Sequence, residues 1–236
     1  MIPKKIHYCW FGGKELPELA KKCIASWEKC CPDYEIIRWD ESNFDIESCK
    51  YVKEAYERKK FAFVTDYVRL YAMYTQGGVY MDTDVELTKN LDAFLEHQGF
   101  SGFESKEHIP TGIMASEQSF PLFAELLSYY TDRPFVLEDG TLDMTTNVRI
   151  ITGLLTEKGF VPNGKFQVVD GFALYPQDVF CPYDNATGAL HKTANTAAIH
   201  WFNKSWVSPV ERLRSKLSRP FHRIFGINCF RWLKRK

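Results

Sequence analysis

Between Phe61 and Asp84 the chain prescribes a helix, a forced stop, a strand and a pair of carboxylates, in that order. Phe63, Val64, Tyr67, Val68, Tyr71 and Tyr74 recur at helical spacing, which predicts a helix over 61–76. Gly77-Gly78 supply the stop, because glycine tolerates the left-handed backbone that commonly closes a helix. The apolar run that follows reads as a strand over 79–82, and Asp82-Thr83-Asp84 stands at its carboxyl end. Two carboxylates on such a turn offer the hard oxygen ligands that Mg²⁺ or Mn²⁺ take, with positions left open for substrate phosphates. That points toward chemistry on a diphosphate-linked substrate. A chain with this much Asp supplies about one Asp-x-Asp by chance, so the residues around the motif carry the argument.

The remaining elements predict an α/β domain. Residues 5–11 read as a first strand closed by Gly12-Gly13, 16–29 as a helix ended near Pro32, 34–39 as a second strand and 51–59 as a charged helix. Further helices are expected at 121–130 and 147–157, and short strands at 166–169 and 197–201. Strand, helix, strand, helix, strand is the order of a Rossmann-like sheet, which binds ligands at the carboxyl ends of its strands. Trp10 and Asp82-Asp84 both fall at such ends.

The 236 residues suffice for one domain with a real core, and no run approaches the length of a membrane span. The start of the chain lacks an apolar leader, which sets the expectation of a cytoplasmic protein. Seven cysteines with no Cys-x-x-Cys pair speak for reduced thiols rather than a disulfide framework or a zinc site. The net charge of zero hides an asymmetry. Up to Glu211 the chain holds 30 acidic residues against 21 Lys/Arg, and residues 212–236 hold nine Lys/Arg and no acid.

Three further groups are candidates for chemistry. Asp66 and Arg69, three apart on an otherwise apolar helix, share a face. They are either a salt bridge at the helix edge, or a carboxylate for sugar hydroxyls with an arginine that binds phosphate or steadies it. Trp10 is either a core residue or a ring emerging into a cleft. In His200-Trp201-Phe202-Asn203-Lys204-Ser205-Trp206, His200 is a metal ligand or a structural histidine, and Ser205 and Trp206 offer donors suited to phosphate oxygens.

Together these stretches resemble the DXD-containing sugar-binding glycosyltransferases, a family of bacterial capsular-polysaccharide enzymes and yeast initiating mannosyltransferases related to the clostridial glucosylating toxins. The resemblance runs from Ile2 to Gly13, through Ser26-Trp27 and Pro32 to Glu35, to the block Ala62 to Leu70 and Gly77 to Asp84, and returns at His200 to Trp206. It is dense over 2–105, looser over 106–196 and absent after 210; in the looser stretch Asn147 is a candidate sugar contact. It implies a GT-A fold over 1–210 and transfer of a hexose-type sugar from a UDP- or GDP-linked donor, with retention of configuration. Carried over by position, Trp10 would stack on the base, with Tyr8 beside it in the nucleotide-sugar site. Asp66 and Arg69 would hold the donor sugar and its phosphate, Asp82 would contact ribose and sugar, and Asp84 would ligate Mn²⁺ or Mg²⁺. His200 would be a second metal ligand or touch the diphosphate, and Ser205 with Trp206 would bind diphosphate oxygens. Thr65 stands where the family usually has Ser, keeping the hydroxyl. The implied acceptor is a saccharide or lipid-linked saccharide in capsular, exopolysaccharide or lipopolysaccharide synthesis, with no role for nucleic acid.

Residues 211–236 form a basic amphipathic tail. Phe221, Ile224, Phe225, Cys229, Trp232 and Leu233 recur at helical spacing among Arg219, Arg223, Arg231 and Lys234 to Lys236. Such a helix either lies on an anionic membrane, placing the protein at the inner face of the cytoplasmic membrane, or packs on the domain with its basic face in water. Two competing readings of the whole chain are a nucleotide-sugar-binding module without activity and an aspartate-nucleophile phosphatase. Intact polar positions speak against the first. Against the second stands Glu86, where the phosphatase pattern has Thr or Val.

Overall fold

The computed structural model describes residues 1–203, 207, 209–226 and 229. Its elements in chain order are β1 (Lys5–Cys9), α1 (Glu18–Cys30), β2 (Glu35–Trp39), α2 (Lys50–Glu57), α3 (Phe61–Gln76), β3 (Gly78–Met81), β4 (Val85–Leu87), β5 (Gly99–Gly102), β6 (Ile113–Ser116), α4 (Pro121–Ser128), α5 (Asn147–Glu157), β7 (Gln167–Val169), β8 (Phe172–Tyr175), α6 (Gln177–Phe180), β9 (Ala198–His200) and α7 (Pro209–Phe225). Seven strands form one mixed sheet in the order β2-β1-β3-β6-β5-β8-β7, and β4 with β9 make a separate two-stranded ribbon. This is the mixed α/β architecture, a sheet flanked by helices, that the element order predicts.

Alternation along the central strands sorts the core into two layers. Cys9, Trp39, Tyr80 and Met114 face α2 to α5, while Ile6, Tyr8, Val79, Met81 and Ile113 face α1, α6 and the β4–β9 ribbon. Strands β1 and β2 are parallel, as are β1 and β3, whereas β6 is antiparallel to both β3 and β5. Two reversals make β5 run with β3, and β8 pairs parallel to β5. The carboxyl ends of β1, β2, β3, β5 and β8 therefore share one edge of the sheet. Every candidate group of the sequence that emerges from a strand end emerges there.

The joint between α3 and β3 sets this edge. Gly77 closes α3 with φ 64° and ψ −168°, its N–H donating to the Met73 carbonyl. A Cβ on Gly77 would stand 2.6 Å from the Gln118 backbone nitrogen, so only glycine fits. Beneath it, Trp39 Nε1 donates to His7 Nδ1 at 3.1 Å and His7 Nε2 donates to the Gly77 carbonyl at 2.8 Å. Burial pushes the His7 pKa down to about 4, so the ring is neutral and fixes the tautomer that links β1, β2 and the helix stop.

Several expectations need correction. The first strand ends at Cys9 rather than residue 11, because its partner β2 ends at Trp39, whose carbonyl takes the Trp10 N–H at 2.9 Å. β3 ends at Met81, so Asp82 to Asp84 form the turn into β4, with the Val85 N–H bonded to the Asp82 carbonyl at 2.9 Å. The strand expected at 197–201 shortens to β9 and pairs with β4 instead of joining the main sheet. Strands β4, β5, β6 and β8 were not foreseen. At three or four residues each they are too short to carry a periodic pattern. The tail helix α7 starts at Pro209 and stops before Gly226; the helical spacing expected at Trp232 and Leu233 lies outside the described residues. Among the described residues no helix is long and apolar enough to cross a membrane.

Candidate active site

Asp82 and Asp84 leave β3 on a turn that two other segments complete. The Asp82 N–H donates to the Gly112 carbonyl at 2.8 Å, binding the turn to the segment before β6. From the other side the β4–β9 ribbon places His200 opposite Val85. His200 Nε2 then lies 3.3 Å from Asp84 Oδ1. After β9 the backbone turns sharply through Phe202, at φ 48°, and the Asn203 N–H reaches Asp84 Oδ2 at 2.7 Å. A left-handed phenylalanine is strained, and strain of this kind collects at functional sites. Its ring stacks on His200 with centroids 4.0 Å apart.

Ligand atoms of Asp82, Asp84 and His200 all lie within 4.8 Å of one another. Two carboxylates and an imidazole form a donor set suited to a divalent cation such as Mn²⁺. Two observations support that fit. His200 Nδ1 is buried with no oxygen or nitrogen partner among the described residues, the ring's remaining polar contact being the Cys181 thiol. Gly112 also leaves the space between His200 and Asp82 open, since a Cβ there would stand 2.6 Å from His200 Cε1 and 3.1 Å from Asp82 Oδ2. Burial alone would lower the His200 pKa, but the Asp84 carboxylate reverses this and holds it well above the ordinary value. Burial likewise works to raise Asp84, and His200 holds it below its ordinary value.

A second carboxylate pair converges through Arg69. Its Nη2 lies 3.2 Å from Asp66 Oδ1 and 3.3 Å from Asp82 Oδ1. Nη1 donates to the Thr111 carbonyl at 2.6 Å and to Thr111 Oγ1 at 3.1 Å, and Nε to the Thr65 carbonyl at 3.3 Å. The Tyr80 ring lies 4.8 Å from the guanidinium, and the Tyr80 hydroxyl donates to Asp82 Oδ1 at 2.8 Å. Both Asp66 and Arg69 are buried, so the pair is not a salt bridge on an exposed helix edge. All three Arg69 nitrogens face protein acceptors, which casts it as the group that orients two carboxylates. Burial raises the Asp66 pKa to about 6, with Arg69 opposing and Asp82 reinforcing the shift. Asn147, at the start of α5, donates through Nδ2 to the Asp66 carbonyl at 2.6 Å and accepts from the Tyr130 hydroxyl at 2.5 Å.

The other expected site residues are more scattered. Trp10 is half-buried at the end of β1, with Nε1 donating to the Lys14 carbonyl at 2.6 Å. Tyr8 is buried one layer down, its ring edge-on to Trp27 at 5.7 Å. Ser205 and Trp206 lie outside the described residues. Two residues with no sequence signal join the site. Glu104 follows β5 on the same edge, its carbonyl accepting from Gln177 Nε2 at 2.8 Å. Its pKa is raised by burial, drawn back by His200 and His108 and raised further by Asp82, which places it in the field of the cluster. Gly112 is the other, and only the register of β6 reveals its position.

Residues 17–101 match the family described as "Glycosyltransferase sugar-binding region containing DXD motif". The matched stretch holds Asp66, Arg69, Asp82 and Asp84 and stops short of Glu104 and His200. The chain is 28% identical over 133 residues to inositol phosphoceramide mannosyltransferase 3 of Schizosaccharomyces pombe, covering 53% of this chain and 36% of that protein. The chain thus spans about a third of the length of that curated relative. It is 26% identical over 204 residues to an uncharacterized glycosyltransferase of Acanthamoeba polyphaga mimivirus, 78% of each chain. Among solved structures, the PaToxG glycosyltransferase aligns with a TM-score of 0.48 at 17% identity, over 67% of this chain and 70% of that one.

Substituting Gly112→Ala tests the cradle. The new methyl group has to displace His200 or Asp82, so Mn²⁺ affinity measured by calorimetry should fall at least about tenfold. His200→Ala should show a loss of similar size. Unchanged affinity in both variants would place the metal elsewhere.

Proposed function

We propose that this chain, which carries the DXD-containing glycosyltransferase sugar-binding region over residues 17–101, is a metal-dependent retaining glycosyltransferase with a GT-A domain. It moves a hexose-type sugar from a UDP- or GDP-linked donor to a saccharide or lipid-borne acceptor. The observation that carries this reading is the meeting of Asp82, Asp84 and His200 with the Arg69-bridged Asp66 on one edge of the sheet.

In this reading Asp84, His200 and Asp82 hold Mn²⁺ or Mg²⁺. A cation held there neutralises the charge that develops on the departing diphosphate. Asp66 accepts hydrogen bonds from sugar hydroxyls, and Arg69 keeps Asp66 and Asp82 in place. Trp10, with Tyr8 behind it, forms the side of the site that receives the base, and the resemblance read from the sequence gives Ser205 and Trp206, outside the described residues, the role of diphosphate donors. The bond from the anomeric carbon to the diphosphate oxygen breaks as the acceptor oxygen bonds to that carbon on the same face. The acceptor proton passes to the leaving phosphate. In this reading Asp66 and Asp82 are held by one guanidinium, and the transfer proceeds without an enzyme-bound sugar.

The resemblance read from the sequence points to capsular, exopolysaccharide or lipopolysaccharide assembly, and the name of the fission-yeast relative points to mannosylation of a phosphoinositol lipid. Both settings put the acceptor at a membrane. The α7 helix supports that location, at the inner face of the cytoplasmic membrane. Its polar side faces the domain, where Arg219 and Arg223 donate to backbone carbonyls of Asn185, Thr187 and Gly188. Its apolar side faces outward, with Val210 75%, Leu213 58%, Leu217 63% and Ile224 73% exposed. An apolar stripe flanked by cations and turned away from its own domain is suited to an anionic bilayer surface.

With Mn²⁺ present the protein should slowly hydrolyse its own donor within a panel of UDP- and GDP-sugars, and Asp84→Asn should abolish this. Binding without turnover would instead mark a sugar-nucleotide-binding module. The rate should fall as pH drops through about 6, where Asp66 takes up a proton. The raised pKa means the folded state binds that proton more tightly than the unfolded chain, so this group adds stability as pH falls from 6 toward 4. Activity should therefore be lost while the fold holds, and an acid loss that tracks unfolding would contradict the assignment.

The membrane reading has its own check. Leu213→Glu combined with Leu217→Glu should abolish co-sedimentation with anionic vesicles and leave donor hydrolysis intact. Unchanged sedimentation would exclude α7 as the contact.

A further inference from the structure

We propose that the cavity between α7 and the end of β9 is a subsite for a phosphate attached to a sugar or cyclitol ring. It rests on the reading of the chain as a sugar transferase and concerns the acceptor side of that reaction. The cavity has a volume of about 190 Å³ and is lined by Tyr183, Trp201 and Phe202 on one side and by Lys216 and Arg219 of α7 on the other. That is the volume of about six liquid waters, the scale of a phosphate with one face of a ring.

The lining divides by chemistry. Tyr183, Trp201 and Phe202 offer aromatic surface to the C–H side of a polyol ring. Lys216 supplies a point charge for a phosphate, and Arg219 a planar fork that matches two of its oxygens. Arg219 is loosely tethered, with bonds of 3.3 and 3.4 Å to Asn185 and the Tyr183 ring 5.5 Å away. Those are long contacts for a guanidinium, and a phosphate in the cavity would shorten its reach.

Position ties the cavity to the transfer site and to the bilayer. Asn203 lines it and holds Asp84 through its N–H at 2.7 Å; Phe202 lines it and stacks on His200. An anchored phosphate here would bring the ring beside it toward the carboxylate–imidazole cluster. On the far side of α7, Val210, Leu213 and Leu217 point outward. An interfacial helix sinks its apolar face about 5–10 Å into the headgroup boundary and is about 10 Å across. The cavity under α7 then lies at headgroup depth, where a lipid-borne phosphate is found.

The test uses the full chain in EDTA, so that donor binding plays no part. Inositol 1-phosphate should raise the unfolding temperature by about 3 °C near saturation. Lys216→Glu should weaken its apparent affinity about tenfold, Lys216→Arg should restore it, and Asp66→Asn, which touches no residue of the cavity, should leave it unchanged. In a second arm, vesicles carrying phosphatidylinositol are compared with vesicles carrying phosphatidylserine at equal charge. A phosphatidylinositol preference lost in Lys216→Glu assigns the phosphate to a lipid, and a response to the soluble compound alone assigns it to a free sugar phosphate. No shift with inositol 1-phosphate, a shift that survives Lys216→Glu unchanged, or one that disappears in Asp66→Asn overturns the proposal. Failure of donor hydrolysis would overturn the transferase reading and leave these binding results in place.

Discussion

One buried guanidinium organises the edge of the sheet on which everything else is built. Arg69 sits between Asp66 and Asp82, at 3.2 and 3.3 Å, and anchors to both acceptors of Thr111. Burying an arginine costs several kcal/mol, and only close, well-directed partners repay it; removing one member of such a pair costs about 3–5 kcal/mol. Here those partners come from α3, from the exit of β3 and from the segment that leads into β6. The guanidinium thus locks three separate segments at the point where two carboxylates must stay close without repelling each other. Arg69 is thereby committed to its neighbours.

The Asp82–Asp84–His200 cluster depends on a second device, a short ribbon that crosses over the strand ends. β4 follows directly from the Asp-x-Asp turn, and its pairing with β9 brings back a histidine from more than a hundred residues away. The tight turn at Phe202 then returns the backbone so that Asn203 caps Asp84. Both oxygens of Asp84 are oriented in this way, one by an imidazole and one by an amide. Asp82 is oriented by Tyr80 and Arg69. The two aspartates of one motif therefore sit in different environments.

Much of this was legible in the sequence, for physical reasons that can be named. The helix 61–76, its glycine stop and the carboxylates beyond it are long-range consequences of local signals, and Asp66, Arg69, Asp82, Asp84 and His200 do converge. The four unforeseen strands had no such signal. Gly99 to Gly102 and Ile113 to Ser116 are buried on both faces, so they show no alternation, and glycine weakens any β preference. Glu104 and Gly112 inherit their places from those strands and were invisible for the same reason. The tail showed its amphipathic composition but not which side would turn inward. That was decided by the carbonyls of residues 185–188, which take the arginines and leave the apolar stripe outside.

The account turns on whether Asp82, Asp84 and His200 seat a divalent cation that also meets a nucleoside diphosphate. Pulsed electron paramagnetic resonance of Mn²⁺ bound with UDP or GDP reads the ligands directly. The predicted spectrum shows modulation from one imidazole nitrogen, lost in His200→Gln, together with phosphorus coupling from the diphosphate. Bound Mn²⁺ with phosphorus coupling but no nitrogen modulation in the wild-type protein would contradict the site described for this chain.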